Sequence, residues 1–368
     1  MHDEPHLPPT IRGEWDANIR ISRRTLNKRR LSNRVVADPQ YRPFPLSNNG
    51  KKRKNSHDIL LIGYLGGGTS FTGDILGKRN DSFYLYEPLY SLYRFGYFKP
   101  DYSCSMKKES CRRRNATNSQ VLERVQALFN CEYGQYVHDV NWWQILKSGG
   151  AEKVNDRHWK ISPHCKGICL MKYINLCSKD DSIVSKIPRI SISLASKILN
   201  KLPNLKIIHL LRDPRAIMNS RKKYDWTPVP GGAISLCNKM TDDFRESHEV
   251  KILYPGRLLT VFYEDMVTDP LKTIGAMYNF SGYDFDADER HRILDQIRNS
   301  SKIATAWRTR IHDDVLTETN KACAHLYPVF GYPQFVNRME INDTNIPLRM
   351  KTTGREFPTI SPNKSKDR

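Results

Sequence analysis

A glycine-rich turn contains the residues whose types and spacing are best suited to chemistry. The run Gly66-Gly67-Gly68 follows the short apolar segment 59–62 and is itself followed by Thr69 and Ser70. The first main-chain amides of a helix have no partner inside that helix, and glycines let a ligand approach them closely. The two hydroxyls add further donors. The turn therefore predicts a site for a phosphate or sulfate group.

The spacing of this turn is close to that of a nucleotide-binding loop. Gly63 and Gly68 stand five positions apart, as the glycines of a Walker A loop do, but Thr69 takes the place of the Walker lysine. A nucleotide triphosphatase needs that lysine on the β- and γ-phosphates. We therefore expect a phosphate loop that does not hydrolyse ATP. The loop alone leaves open an ordinary glycine-rich turn without a ligand.

Two later segments carry further candidate side chains. Arg212 opens the sequence Arg-Asp-Pro-Arg, and Ser220 follows eight residues later. An arginine fork and a hydroxyl can converge on one oxyanion, although a surface role or an ion pair with Asp213 is the alternative. Glu87 lies near the end of the predicted strand 82–89, just before Pro88. A carboxylate beside a phosphate loop could accept a proton. A surface carboxylate before a turn is the alternative for Glu87.

The elements that must position these residues alternate between strands and helices. The predicted strands are 59–62, 82–89, 168–172, 205–211 and 258–263. Helices are predicted at 69–76, 121–129, 192–199 and 232–248, and also after Pro214 and after Pro270. This alternation is typical of an α/β fold with a parallel sheet flanked by helices. The segment 205–211 is apolar almost throughout, as a parallel strand covered on both faces should be.

Composition sets the expected partner and the domain limits. The chain has 368 residues and a net charge of +20, which favours an anionic partner such as nucleic acid, acidic glycan, phosphorylated cofactor or membrane surface. Residues 1–56 carry basic clusters with weak apolar periodicity and are predicted to be a disordered linker. The main domain is predicted at 57–335, with a loop-rich insertion at about 99–167. Residues 336–368 are predicted to form a polar tail.

The cysteines and glycosylation sequences favour a secretory compartment. The eight cysteines are even in number, and disulfides suit a luminal chain, whereas their spacing matches no zinc finger. A metal site that uses His164 with Cys165, Cys169 and Cys177 is left open. Six Asn-x-Ser/Thr sequences are compatible with glycosylation. No apolar run in the printed sequence approaches the roughly 20 residues of a membrane-spanning helix.

The two anion-binding motifs together resemble a known family. They are similar to the elements with which sulfotransferases bind 3′-phosphoadenosine-5′-phosphosulfate (PAPS). In particular, they resemble those of Golgi carbohydrate sulfotransferases that modify galactose, N-acetylglucosamine or N-acetylgalactosamine. The likeness extends over about residues 57–333 and is carried by the following segments: 69–73, 83–89, 205–221, 263–265, 307–308, Cys323 and 331–332.

This resemblance implies a P-loop-like sulfotransferase fold and transfer of a sulfuryl group from PAPS to a sugar hydroxyl, with a 6-hydroxyl as the expected position. It implies that Arg212 and Ser220 bind the 3′-phosphate, that Glu87 is the general base and that Lys172 supplies a catalytic cation. The residues implied to bind the 5′-phosphosulfate are Gly66, Gly67, Gly68, Thr69, Ser70 and Phe71. No metal is required.

The resemblance also sets the expected partner and location. It implies a glycan or glycosaminoglycan acceptor and no nucleic acid. It places the protein in the Golgi lumen with a type II membrane anchor, a segment that we do not find in the printed sequence.

Three arginines of the family pattern are absent from the expected positions. Gly66 replaces an arginine of the loop. Asn175 replaces the arginine of the family's Lys-x-Ile/Val-Arg sequence, which we assign to residues 172–175. Phe262 replaces the first arginine of the family's Arg-Tyr-Glu-Asp sequence. Loss of one such donor typically lowers the rate by ~10²–10³. Either nearby cations such as Lys78, Arg79 or Lys172 compensate, or the protein is a weak or inactive relative that binds cofactor or glycan. A P-loop nucleotide kinase is the second alternative, and the absent Walker lysine argues against it.

Overall fold

The computed structural model describes residues 56–90, 92–108, 110–132, 176–224, 231–298, 304–335 and 337–351. Its strands in chain order are β1 Asp58–Ile62, β2 Ser82–Tyr86, β3 Gly96–Lys99, β4 Tyr102–Ser105, β5 Cys111–Arg113, β6 Ser182–Lys186, β7 Leu205–Leu211 and β8 Leu258–Phe262. Five of them form a sheet in the order β2-β6-β1-β7-β8, and every neighbouring pair is parallel. The predicted fold class, an α/β fold with a parallel sheet, is confirmed.

Helices connect these strands and flank the sheet. The first half of the chain contributes α1 Thr69–Gly77, α2 Asn115–Phe129, α3 Ile192–Leu199 and α4 Pro214–Lys223. The second half contributes α5 Gly231–Leu253, α6 Tyr263–Thr268, α7 Pro270–Ser281, α8 Ala287–Ile297, α9 Trp307–Arg310, α10 Asp313–Cys323, α11 Tyr327–Phe330 and α12 Arg338–Asn342. The apolar residues of β1 and β7 are buried on both faces, as helix layers on the two sides require.

Local sequence chemistry accounts for the element that follows β7. The strand occupies Leu205–Leu211, as predicted, and α4 begins at Pro214. Asp213 caps this helix, because its carboxylate accepts a hydrogen bond from the Arg215 amide at 2.8 Å. Proline at the first helical position needs no hydrogen bond there. The cap fixes the direction in which the chain leaves the sheet.

The strand β6 was missed by the sequence analysis. It inserts between β1 and β2, whereas the predicted strand 168–172 lies outside the described residues. Polar residues interrupt the apolar pattern of β6, yet they are buried, and the Ser182 hydroxyl donates to that of Ser82 across the strands at 3.0 Å. Cross-strand hydrogen bonding of this kind is invisible to a search for apolar periodicity.

A small antiparallel sheet, β3-β4-β5, whose first strand ends at Lys99, and the helix α2 form the start of the predicted insertion. The rest of the insertion, from residue 133 onward, lies outside the described residues. Three disulfides, Cys104–Cys111, Cys131–Cys177 and Cys237–Cys323, confirm the expected use of cysteine. The four-ligand metal site is wrong as stated, because the Cys177 sulfur is bonded to Cys131. Its other three candidate ligands lie outside the described residues.

The C-terminal segment extends the domain beyond residue 335. Ile341 is fully buried, and the Arg308 guanidinium donates to main-chain carbonyls of this segment, including Ile346 at 2.7 Å. Residues 337–351 therefore belong to the packed domain, whereas 1–55 and 352–368 lie outside the described residues. Within the described ranges, we find no helix whose length and apolar character would let it cross a membrane.

Candidate functional site

The glycine-rich loop joins β1 to α1 and turns through two left-handed residues. Gly66 and Gly68 have φ values of +86° and +85°, which side chains rarely adopt. A Cβ atom on Gly68 would lie 2.5 Å from the Tyr263 ring. The loop main chain can therefore pass this ring only because residue 68 is glycine. The amides that open α1 face the carboxyl edge of the sheet, where open α/β sheets bind ligands.

Arg212 and Ser220 both lie against this loop. The Arg212 Nη1 atom donates to the Gly66 carbonyl at 3.2 Å, and its guanidinium lies 4.3 Å from the centre of the Tyr263 ring. A Cβ atom on Gly66 would be 3.5 Å from the Ser220 Oγ atom. The structure therefore brings the two anion-binding motifs into one place at the end of β1 and β7.

Two guanidinium groups at the loop suit an anionic ligand. The Arg212 Nε and Arg221 Nη1 atoms are buried and make no hydrogen bond, and among the described residues no carboxylate pairs with either arginine. Arg221 also donates from Nε to the Leu65 carbonyl at 2.8 Å, and burial lowers its pKa to about 10. A buried cation without a counter-charge is costly, and a phosphate bound at the loop would provide a partner for Arg212. PAPS, which carries a 3′-phosphate and a phosphosulfate, therefore fits the donor set.

The other loop residues have distinct surroundings. Thr69 is buried against Gly63, whereas the Ser70 side chain is exposed. Phe71 is half-buried and lies edge-on to Tyr263, with 6.2 Å between ring centres. Ser70 is therefore the most exposed side chain of this segment.

Glu87 lies at the end of β2, as predicted, but its carboxylate is held by two cations. The Lys186 Nζ atom contacts Oε1 at 2.5 Å, and Arg189 pairs with Oε2. Burial alone would raise the pKa of Glu87, but the charges of Lys186 and Arg189 outweigh burial and lower it. Both oxygens are engaged and the carboxylate is stabilised as an anion, so this arrangement makes Glu87 a weak proton acceptor.

Lys186 connects this carboxylate to the loop. Its Nζ atom lies 3.0 Å from the Ser70 Oγ atom and 3.9 Å from the centre of the Tyr86 ring. The Ser70 hydroxyl and the Tyr86 hydroxyl are also 3.0 Å apart. A lysine ammonium therefore reaches the loop from β6, and the Lys172 of the sequence analysis lies outside the described residues.

Residues Lys186 and Arg189 have the Lys-x-x-Arg spacing that the sequence analysis assigned to 172–175. Lys186 is the last residue of β6 and Arg189 follows three positions later, so the motif would have been found if that strand had been recognised. The expected compensating cations Lys78 and Arg79 are in other positions, at the far end of α1. Lys78 pairs with Asp74 at 3.1 Å and Arg79 with Asp81 at 2.6 Å, so neither supplies charge to the loop.

The third missing arginine also has a spatial substitute. Arg349 places its guanidinium 3.6 Å from the centre of the Phe262 ring and pairs with Asp265 at 2.7 Å. A guanidinium from the C-terminal segment therefore covers the side chain at position 262 and is paired with Asp265. No periodicity or spacing in the sequence could have indicated this contact, because 84 residues separate Arg349 from Asp265.

A buried carboxyl next to this substitute supports the start of α4. Glu264 accepts hydrogen bonds from the Asp213 amide at 3.0 Å and from the Tyr332 hydroxyl at 3.1 Å. Burial raises the pKa of Glu264 to about 7. Glu264 therefore fixes the main chain next to Arg212 without touching the loop itself.

Comparison with known proteins identifies the class that this fold and site define. Residues 62–287, more than half of the chain, match the sulfotransferase family, and the protein belongs to that family. The resemblance to carbohydrate sulfotransferases that the motifs indicated is also confirmed. The chain is 24% identical to carbohydrate sulfotransferase 1 of Danio rerio over 83% of this chain and 84% of the relative. It is 22% identical to carbohydrate sulfotransferase 4 of Mus musculus, over 82% of this chain and 88% of the relative.

Solved structures give a more distant similarity. The sulfotransferase domain of the Synechococcus PCC 7002 olefin synthase aligns with 74% of this chain and 96% of its own, at 18% identity and a TM-score of 0.36.

Proposed function

We propose that this sulfotransferase transfers a sulfuryl group from PAPS to a hydroxyl of a glycan or glycosaminoglycan, with a 6-hydroxyl as the expected position. The relatives named as carbohydrate sulfotransferases support the sugar acceptor. The three disulfides support an oxidising compartment such as the Golgi lumen.

The contact between Arg212 and the Gly66 carbonyl is the observation that carries this proposal. It joins the loop to the segment that ends at Ser220, so one ligand with two anionic groups can reach both. The opening amides of α1 with Thr69 and Ser70 would hold the phosphosulfate. Arg212 and Ser220 would hold the 3′-phosphate. PAPS supplies the activated sulfuryl group when it is bound.

Lys186 is the residue that we propose in place of both Lys172 and the missing loop arginine. Its ammonium lies at the Ser70 hydroxyl, is buried and is held in position by Glu87. A preorganised cation stabilises negative charge that develops during transfer more than charge already present in the ground state. This placement argues against the alternative of an inactive relative.

For Glu87 we propose a positioning role instead of the general-base role that the sequence predicts. Its lowered pKa and its two ion pairs make it a weak base, whereas the same pairs orient Lys186 toward the loop. Glu87 itself has φ +49°, a conformation that few side chains take. Such strain at the end of a strand is common at functional sites.

Calorimetry with two nucleotides tests the donor. Adenosine 3′,5′-bisphosphate (PAP) has the 3′-phosphate that Arg212 and Ser220 would bind, and ADP lacks it. We expect PAP to bind more tightly than ADP by about 10- to 100-fold, the equivalent of ~1.5–3 kcal/mol for a hydrogen bond to a charged group. Arg212→Ala should remove this preference. Lys223→Ala, which removes an exposed charge from the same helix, should preserve it.

Equal affinity for PAP and ADP in the wild type would contradict PAPS as the donor. It would favour the nucleotide kinase alternative instead.

A further inference from the structure

A small cavity lies next to the residue that precedes the glycine turn. Its volume is about 10 Å³, which is enough for one species of about the size of a water molecule. Arg221 of α4, Lys239 of α5 and Leu65 of the loop are among the residues that line it. We call this space the Arg221–Lys239 cavity. Its size excludes a phosphate, a sulfate or a nucleotide.

Arg221 brings a positive charge to this cavity. The side chain is only 2% exposed, and its Nε atom donates to the Leu65 carbonyl at 2.8 Å. The Nη1 atom is buried and has no hydrogen-bond partner. Burial lowers the pKa of Arg221 to about 10, so the guanidinium is still charged at neutral pH. Among the described residues, no carboxylate pairs with it.

Lys239 is a second buried cation, and its carboxylate partner has no capacity left for Arg221. The Lys239 ammonium pairs with Asp243 through Oδ2 and donates to the Ile190 carbonyl at 3.2 Å. An ammonium has three protons, so one remains for the cavity. The other carboxylate oxygen, Oδ1 of Asp243, accepts from the Ile192 amide at 2.9 Å. The single negative charge of Asp243 therefore balances only one of the two cations.

The two cations also affect each other's protonation. Burial lowers the pKa of Lys239, Asp243 opposes this change, and the charge of Arg221 adds to it. The Arg221 and Lys239 side chains therefore lie close enough to repel each other. A negative charge between them would relieve this repulsion.

Aromatic rings keep this region dry without supplying the missing charge. The Lys239 Nζ atom lies 4.9 Å from the centre of the Tyr64 ring and 5.0 Å from that of Tyr97. The Tyr64 hydroxyl is already engaged, at 2.9 Å from the Nε2 atom of His209. Electrostatic attraction is stronger in such apolar surroundings than in water. The cavity therefore favours a small anion.

We propose that the Arg221–Lys239 cavity binds one chloride ion, which accepts hydrogen bonds from Arg221 Nη1 and from the third proton of Lys239. A water molecule would fit the space but would leave the surplus positive charge uncompensated. The ion takes no part in group transfer. It holds in place the guanidinium that fixes the Leu65 carbonyl, directly before Gly66.

Anomalous diffraction at the bromine absorption edge tests this proposal. Crystals of the wild-type protein are grown in sodium bromide, because bromide replaces chloride and is readily distinguished from water. We expect a bromide peak within hydrogen-bonding distance of Arg221 Nη1 and Lys239 Nζ. A water molecule at this position would overturn the proposal. Peaks beside exposed side chains alone would mean an adventitious ion only and would overturn it as well.

Thermal unfolding in solution provides a second test. Sodium chloride is compared with sodium gluconate at the same ionic strength, because gluconate is too large for the cavity. We expect chloride to raise the melting temperature of the wild type by about 2–4 °C, as for a ligand at roughly ten times its dissociation constant. Arg221→Met should lose this difference between the salts. Lys223→Met, which removes an exposed charge from the same helix, should retain it.

The readout is the difference between two salts, so a lower overall stability of Arg221→Met does not affect it. If that variant does not fold, the bromide map of the wild type decides. Equal melting temperatures of the wild type in the two salts would overturn the proposal. Protein that binds bromide in the cavity but does not bind PAP would uphold this site and contradict only the proposed sulfuryl donor.

Discussion

The Lys186 ammonium donates a hydrogen bond to the Ser70 hydroxyl, with 3.0 Å between Nζ and Oγ. A residue of β6 thereby reaches the first turn of α1, although Lys186 and Ser70 are 116 positions apart in the chain. Glu87, the residue directly after β2, holds the same ammonium. Three elements therefore converge to place one buried cation at the loop.

Replacement of Lys186 by methionine should lower the rate of sulfate transfer by ~10²–10³, the usual cost of one preorganised donor to developing charge. PAP affinity should change little, because PAP lacks the sulfuryl group. The measurement is single-turnover transfer together with PAP calorimetry. The double variant Lys186→Met with Glu87→Gln is the control for a buried carboxylate left without its partner. An unchanged transfer rate in folded Lys186→Met would show that another residue supplies the charge.

Gly66→Arg should not increase activity, although it restores the arginine of the family pattern. The left-handed conformation of Gly66 costs a side chain about 1–2 kcal/mol. Its Cβ would also lie 3.2 Å from the Ile217 carbonyl. Thermal unfolding and PAP titration of Gly66→Ala measure these two effects first. Gly256→Ala is the matched control, because Gly256 has φ +71° and open space around it.

We expect Gly66→Ala to destabilise the protein more than Gly256→Ala and to weaken PAP binding, whereas Gly256→Ala should leave PAP binding intact. A Gly66→Arg protein with normal stability and faster transfer would contradict this account of the loop.

The sequence predicts local features of this fold better than contacts between distant residues. The limits of β7 and the cap of α4 follow from an apolar run and from Asp213-Pro214, which act on their own neighbours. The strand β6 was missed because Ser182, Ser185 and Lys186 interrupt its apolar pattern although all three are buried. The substitution of Arg349 for an arginine at position 262 requires the path of the whole chain, so no motif search could find it.

Stability should depend on pH through Glu264. Its pKa is raised from 4.5 to about 7 in the folded protein, because burial disfavours the ionised carboxylate. The folded state therefore holds this proton more tightly than the unfolded state does. The resulting stabilisation is fully present below pH 4.5 and is lost as the pH rises through 7. The free energy of unfolding should therefore be about 3 kcal/mol higher below pH 4.5 than above pH 7.

Urea unfolding at several pH values between 4.5 and 8 measures this effect. Glu264→Gln should remove the fall in stability over this range, whereas Glu249→Gln, at an exposed position, should retain it. If the free energy of unfolding fell with pH in the same way for the wild type and for Glu264→Gln, a group other than Glu264 would be responsible.

The disulfides should contribute unequally to stability. Cys237 and Cys323 are 86 positions apart, whereas Cys104 and Cys111 are separated by only 7. A longer closed segment restricts the unfolded chain more, so loss of Cys237–Cys323 should cost about 2–4 kcal/mol and loss of Cys104–Cys111 less. Denaturant unfolding of the two double cysteine-to-alanine variants provides the comparison. A larger loss from the shorter bridge would contradict this order.

Transfer of ³⁵S from labelled PAPS tests the central claim most directly. Wild-type protein is incubated with a panel of neutral and acidic glycans and with matching acceptors whose sugars lack the 6-hydroxyl. We predict label on the glycans that have this hydroxyl, none on the 6-deoxy acceptors, and severe loss of label with Arg212→Ala. Protein that binds PAP tightly yet transfers no label to any glycan would contradict the claim that this site is catalytic.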